Sequence, residues 1–580
     1  MKLNRIFLVS LIFALMISCS KDLLDQRPLG QLDESAIKNK TGVEKLLIGA
    51  YSLLDGVGSP NTVQPWESAG SNWIYGSVCG TEAHPGSNSA DQSLMFEIEK
   101  FETTASNEFM GSKWGTVYDG VQRSNDVIRI MRQVPELTDA DTVEYKAEAL
   151  FLRAHYHLEA KKMWNRVPFI DEYITYSNNN YKVSNDVDIW PRIEDDLKYA
   201  AGHLPDNQEE IGRANHFTAL ALLAEAYLFQ HKYDLAKSVL DLIISSGKYS
   251  LGKFEDNFNA ATKNGSESVF AAQSSVNDGT MGANGNLGDI LNYPYNNGPV
   301  GCCGFFQPSQ YLVNHFKTDP ATGLPDLDNF NLTDVKNDYG LLSSDAFVPE
   351  TKTLDPRLDW TAGRRGLPYL DWGLNPGADW VRDQISCGPY VSIKNVYLKS
   401  QSKTFNDVNF WTSGANAINI NLIRYAELLL WAAEAEVLST NGSLAKAQSY
   451  VNQIRSRAAD PAGWVYKYTD DQHPELGYSV TPAANYFIKI YPGVWTDPIF
   501  AMKAIRYESM LELAMEGHRF FDLVRWGIAE TEINFYMSKE KNISSNLIGA
   551  SFDSARDNYF PIPQSEIDRT NHHITQNPNY

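Results

Sequence analysis

The sequence predicts a mainly α-helical protein, a tetratricopeptide-like helical scaffold carrying a long loop-rich insertion. Three observations support this. A helix-pair pattern occurs twice at matched spacing, several other segments repeat apolar residues at helical period, and 39 glycines and 26 prolines among 580 residues require long loops between the helices.

At the N-terminus, Lys2 and Arg5 precede an apolar run from Ile6 to Ile17, which has signal-peptide length and is too short to span a bilayer. The run ends Met16-Ile17-Ser18-Cys19, which resembles a bacterial lipobox, whose cysteine is lipidated and becomes the first mature residue. Residues 1–18 are therefore expected to be a signal peptide, and 19–580 one domain anchored by an acyl lipid on Cys19. The sequence has no second long apolar run to serve as an anchor.

Helical period then appears over Lys113 to Met131, Glu144 to Met163, Trp190 to Ala201 and Met502 to Met515. In the second of these, Ala147, Phe151, Ala154 and Leu158 form one stripe, and Trp164-Asn165-Arg166-Val167-Pro168 supplies the stop. The repeat itself pairs Leu222-Leu223-Ala224-Glu225-Ala226-Tyr227 with Trp431-Ala432-Ala433-Glu434-Ala435-Glu436. Leu235-Ala236-Lys237 and Leu444-Ala445-Lys446 follow at the same 209-residue offset. Alanines let two helices of a pair approach closely, and such a pair buries its apolar face only by stacking on neighbours. The reading places the scaffold at about 19–55, 107–250 and 418–530. Loop-rich parts lie at about 56–106 and 251–417, with a C-terminal segment at 531–580.

The formal charge of −21, with no Lys/Arg run interleaved with aromatics, excludes a nucleic-acid partner and suits a neutral ligand. Cys79, Cys302, Cys303 and Cys387 allow at most one structural bridge, or stay as buried thiols. The adjacent Cys302-Cys303 pair is poorly spaced to chelate one zinc ion, and no metal or other cofactor is expected. Glu508, Glu512 and Glu516 share a helix face at i, i+4, i+8. They read as a fold-holding network neutralised by Arg506, Arg519 and Arg525 rather than as a general acid/base pair, and no catalytic residue is assigned. Trp114, Trp164, Trp190, Trp431 and Trp526 fall in or at the ends of helices and are expected in the core.

Six stretches occur in an order similar to the SusD/RagB family of outer-membrane nutrient-binding lipoproteins. They are Lys146 to Ala154, Gly212-Arg213-Ala214, Ile423 to Leu430, Glu516 to Gly527, Tyr559 to Ile567, and the terminal Thr575-Gln576-Asn577-Pro578-Asn579-Tyr580. The resemblance covers nearly the whole chain. It implies a non-enzymatic protein whose helical half packs on a SusC-like TonB-dependent transporter and whose loop-rich half captures oligosaccharide or polysaccharide. Ser20-Lys21-Asp22 after the cysteine is similar to the short charged export signal of surface lipoproteins in Bacteroidetes, which implies an outer-membrane, cell-surface location. Rival classes are a peptide-nutrient binder of RagB type, an α/α glycoside hydrolase using two carboxylates, and a pure protein-interaction scaffold. No Gly-x-Ser-x-Gly, His-Glu-x-x-His or P-loop pattern is present.

A sugar ring offers apolar C–H faces that stack on aromatics and hydroxyls that need Asp, Asn, Gln or Arg partners. Residues 366–384 combine both chemistries on a proline- and glycine-punctuated stretch, as do Trp66 to Tyr75 with Glu82 and His84. The expected platforms are Trp73, Tyr75, Trp372 and Trp380, with Asp371, Asp379 and Arg382 as hydroxyl partners. Of Trp372 and Trp380, one is expected to be a platform and the other a pin to the core. The stretch Cys302-Cys303-Gly304-Phe305-Phe306 is next in line.

Overall fold

The computed structural model describes residues 37–58, 64–175 and 180–580. The predicted signal peptide and Cys19 lie outside the described residues.

The scaffold is built from α1 (Lys40–Tyr51), α2 (Ser93–Glu99), α3 (Glu108–Met131), α4 (Asp139–Trp164), α5 (Trp190–His203), α6 (His216–Phe229) and α7 (Tyr233–Ser245). It continues in α8 (Gln310–His315), α9 (Tyr425–Leu438), α10 (Leu444–Ala459), α11 (Pro498–Glu512), α12 (Arg519–Arg525), α13 (Ala529–Glu540) and α14 (Gln564–Arg569). From α3 to α7 each helix packs on the next, α7 packs on α9, and α9 packs on α10 and α11. A reciprocal cap between Thr138 and Asp141 starts α4. The predicted stripe of Ala147, Phe151, Ala154 and Leu158 is wholly buried.

The two repeats stand face to face. Lys237 and Lys446, the lysines of the two Leu-Ala-Lys motifs, both reach Glu436, at 3.3 and 2.8 Å, and both pair with Asp241. The matched spacing in sequence therefore places two helix hairpins so that the polar end of each closes on the other.

Strands are short and occur as antiparallel pairs. They are β1 (Ala83–Gly86) with β3 (Phe305–Pro308), β2 (Ser268–Ala272) with β6 (Ile420–Arg424), β4 (Ala362–Gly363) with β5 (Val391–Ser392), and β7 (Tyr466–Tyr468) with β8 (Tyr478–Pro482). β1–β3 pairs His84 with Gln307 and Gly86 with Phe305, joining the early loop-rich part to the later one.

Glu508, Glu512 and Glu516 do form a structural network, but their partners differ from those expected. Arg357 Nη2 lies 2.8 Å from Glu508, Arg455 Nη1 2.9 Å from Glu508, and Arg424 Nη1 2.6 Å from Glu512. Arg457 also pairs with Glu512, while Arg424 and Lys394 each lie 2.7 Å from Glu516. Burial alone would raise the Glu512 pKa, yet Arg457, Arg424 and Arg357 together hold it well below the usual carboxylate range. Arg525 instead pairs with Glu434 and Asp522, and the Arg519 guanidinium donates to the Arg506 carbonyl. The network draws Arg357 and Lys394 from the loop-rich part onto the scaffold, a long-range pairing that helical spacing cannot reveal.

Trp114, Trp164, Trp431 and Trp526 are buried as expected, and Trp190 is half-buried against the core. Cys302 and Cys303 form a disulfide between neighbours, while Cys79 and Cys387 are free and buried. Among the described residues no helix is long and apolar enough to cross a membrane.

Candidate functional site

Trp73 and Tyr75 are core residues, each 1% exposed, so neither offers a ring face to a ligand. Residues 73–78 coil into a single π-helical turn threaded through the interior. Trp73 donates its indole N–H to the Gly288 carbonyl at 3.1 Å and packs 5.3 Å from Phe306, and the Tyr75 hydroxyl lies 2.6 Å from the Glu67 carbonyl. The reason lies in Gly76, where a Cβ would come 1.7 Å from the Gly517 carbonyl oxygen. That glycine marks a close backbone approach in the core rather than an exposed turn. Glu82 and His84 are buried with them.

The 366–384 stretch divides. Trp380 is 7% exposed, packed edge-on against Tyr369 at 5.2 Å, and acts as the pin. Trp372 is half-buried, with its indole N–H donating to the Tyr397 carbonyl at 2.8 Å. Asp371 accepts the backbone N–H groups of Lys399 and Ser400, which fixes a turn and occupies both of its oxygens. Asp379 is exposed, with its backbone N–H donating to Ser343 Oγ at 2.9 Å. Trp372 packs 5.8 Å from Tyr397, close to Leu370, whose carbonyl accepts from the Tyr468 and Tyr478 hydroxyls, and Arg382 is drawn into a separate polar and aromatic cluster.

That cluster follows from the β1–β3 pairing, which sets the residues after β1 beside those before β3. Ser87 donates its backbone N–H to the Gly304 carbonyl at 2.5 Å, and Gly304 donates to the Tyr293 carbonyl at 2.8 Å. Tyr295 donates its N–H to the Trp380 carbonyl at 2.8 Å, which brings in the 379–383 turn. The Arg382 guanidinium then sits 5.2 Å over the Tyr295 ring and donates to Ser87 Oγ at 2.8 Å and to Asp91 Oδ2 at 2.5 Å. Next to Asp91, Gln92 accepts the Trp66 indole N–H at 3.4 Å. The result is an arc running Trp66, Gln92, Asp91, Arg382, Tyr295, with half-buried aromatics at its ends and hydrogen-bonding groups between them.

The backbone of the arc is strained. Ser87, Gln92 and Val300 adopt φ of 57°, 53° and 67°, a left-handed region that costs about 1 to 3 kcal/mol for residues other than glycine and clusters at functional sites. The disulfide-linked neighbours Cys302 and Cys303 lie on the same loop, and Asn296 and Asn297 are exposed on it. Pro65 and Glu67, on either side of Trp66, line a cleft of about 1080 Å³ together with Asn107, Ser112, Phe410 and Gln564. Among the described residues no group of His, Cys, Asp or Glu side chains is placed to hold a metal ion.

Sequence reasoning missed Tyr295, Asp91 and Gln92, and passed over Trp66 inside a stretch whose other aromatics are core. Tyr295 carried the signal used elsewhere, an aromatic among Pro294, Asn296, Asn297, Gly298 and Pro299. No local signal marks Asp91 or Gln92, because strand pairing assembles them.

Two family models match, one described as the SusD family over residues 266–580 and one as starch-binding associating with outer membrane over residues 25–228. Curated relatives include SusD-like protein P25 of Formosa agariphila, 23% identical over 550 residues and covering 90% of each chain. SusD-like protein P2 of the same organism is 24% identical over 490 residues, covering 83% of each chain. Among solved structures, a laminarin binding SusD-like protein superposes with TM-score 0.64 at 22% identity, over 93% of this chain and 100% of that one. Surface glycan-binding protein A of Bacteroides thetaiotaomicron, in complex with laminarihexaose, gives TM-score 0.63 at 21% identity, over 93% of this chain and 99% of that one. The helical scaffold, its loop-rich insertion and a family model covering more than half of the residues agree: the chain belongs to the SusD family.

Proposed function

We propose that the protein is a cell-surface glycan-binding lipoprotein that captures oligosaccharide or polysaccharide and delivers it to a SusC-like TonB-dependent transporter. The observation that carries the binding role is the arc from Trp66 to Tyr295, which joins two half-buried aromatics to a strip of amide, carboxylate, guanidinium and hydroxyl groups. Fold neighbours described as binding laminarin and laminarihexaose support the same class of ligand.

The protein acts as a binder and not as an enzyme. Glu508 and Glu512 are buried, Glu516 is half-buried, and all three are held by arginines or Lys394, which leaves no free acid/base pair among them, and Asp91 is engaged by Arg382. The anchor is the lipid on Cys19, ahead of the described residues, and the family description associates such chains with the outer membrane. The test is incubation of the purified protein with a glycan panel and co-purification from native membranes. Retention of a glycan without shortened products, together with recovery of a TonB-dependent transporter, is expected. Release of products, or retention of peptides alone, overturns the proposal.

A further inference from the structure

We infer that the arc accepts an uncharged glycan and discriminates against sulfated or uronate-rich ones, an inference that rests on the binding role proposed for it. The four segments that build the site, 64–67, 87–92, 293–304 and 379–383, carry the single cation Arg382, and the carboxylate that meets it is Asp91. That cation is already committed. Its Nη1 lies 2.5 Å from Asp91 Oδ2, and the guanidinium covers the Tyr295 ring.

An anionic sugar binds where an unpaired, fork-shaped guanidinium or an ammonium meets its carboxylate or sulfate. Here the guanidinium is neutralised on one side by Asp91. An approaching anion would have to displace Asp91 from the guanidinium before it could pair with it. A neutral ring meets no such penalty. Its hydroxyls can accept from the free edge of Arg382 and donate to Asp91 while its face lies on Trp66 or Tyr295. The pair remains partly open for this, with side chains 33% and 35% exposed. In this arrangement Arg382 serves as a hydroxyl partner with its charge cancelled, and Asp91 sets the preference for neutral ligands.

The experiment titrates the mature protein with neutral polysaccharides (laminarin, xylan, glucomannan) and anionic ones (alginate, carrageenan). The parent, Trp66→Ala and Asp91→Asn are compared at about 50 mM and about 500 mM NaCl, a range over which exposed charge interactions are strongly screened. The expected result is that the parent binds a neutral polysaccharide with less than about twofold change across that range, that Trp66→Ala loses about tenfold or more, and that Asp91→Asn gains binding to an anionic polysaccharide. A parent that prefers an anionic polysaccharide, with Trp66-dependent and salt-sensitive affinity, overturns the inference while leaving the binding role intact. So does an Asp91→Asn variant that gains no anionic binding. Binding that ignores Trp66, or no binding to either class, defeats the binding role itself and the inference with it.

Discussion

Arg382 and Asp91, 291 residues apart in sequence, meet at 2.5 Å at the centre of the arc, with Ser87 Oγ as a second acceptor for the same guanidinium nitrogen. The pair is partly solvated, so it contributes at most about 1 kcal/mol to stability. On the proposed binding role, its value lies in presenting groups to a ligand. Arg382→Ala is expected to leave the unfolding midpoint in denaturant nearly unchanged while lowering glycan affinity about tenfold, measured by calorimetry. A variant that loses stability and keeps its affinity would make the pair a fold element instead.

Trp73 shows the opposite behaviour. Its ring is buried against Phe306 with its N–H satisfied inside the core. Trp73→Ala is expected to cost about 3 to 5 kcal/mol of stability in denaturant unfolding, with the folded fraction still binding glycan like the parent. Loss of binding at unchanged stability would restore Trp73 as a platform.

Glu512 sits among Arg357, Arg424 and Arg457. Glu512→Gln leaves those cations under-neutralised in the interior and is expected to cost about 3 to 5 kcal/mol, read from the shift of the urea midpoint. Because its folded pKa is depressed, the stabilisation from Glu512 is present above the ordinary carboxylate pKa and is lost as pH falls through the folded value. A variant unfolding at the parent's midpoint would contradict this assignment.

His84 gives the pH dependence the other sign. Burial alone would strip its proton, but hydrogen bonds and charge from Glu540 and Glu99, at 3.2 and 2.7 Å, outweigh that and raise its pKa to about 9, with Tyr536 packed alongside. A pKa raised above the ordinary 6.5 means that the stabilisation is complete below about pH 6.5 and fades as pH rises through about 9. The parent is expected to lose up to about 3 kcal/mol over that window, and His84→Gln to lack that loss. Thermal unfolding of both proteins from about pH 6 to about pH 10 checks it. Parallel curves would contradict it.

The scaffold was legible in the sequence because its determinants are local. The stripe on α4 and the matched repeats at α6–α7 and α9–α10 follow from helical period and small residues in close-packed pairs. The site was less legible because its determinants are not local. The close approach of Gly76 to the Gly517 backbone, which goes with the burial of Trp73 and Tyr75, joins segments far apart in sequence. Arg382 was named for its neighbours in sequence. Asp91 and Gln92 reach it only through the β1–β3 pairing, and the partners of Glu508 and Glu512 come from Arg357, Arg424, Arg455 and Arg457 across the fold.

The measurement that bears most directly on the arc as the glycan site is calorimetric titration of the Trp66→Ala/Tyr295→Ala double variant with a glycan the parent binds, alongside thermal unfolding of both proteins. By analogy with ring stacking on aromatics, worth about 1 to 3 kcal/mol per platform, the double variant is expected to lose about a hundredfold in affinity. It should still unfold in one cooperative transition. A double variant that folds and binds with the parent's affinity would place the ligand elsewhere on the protein.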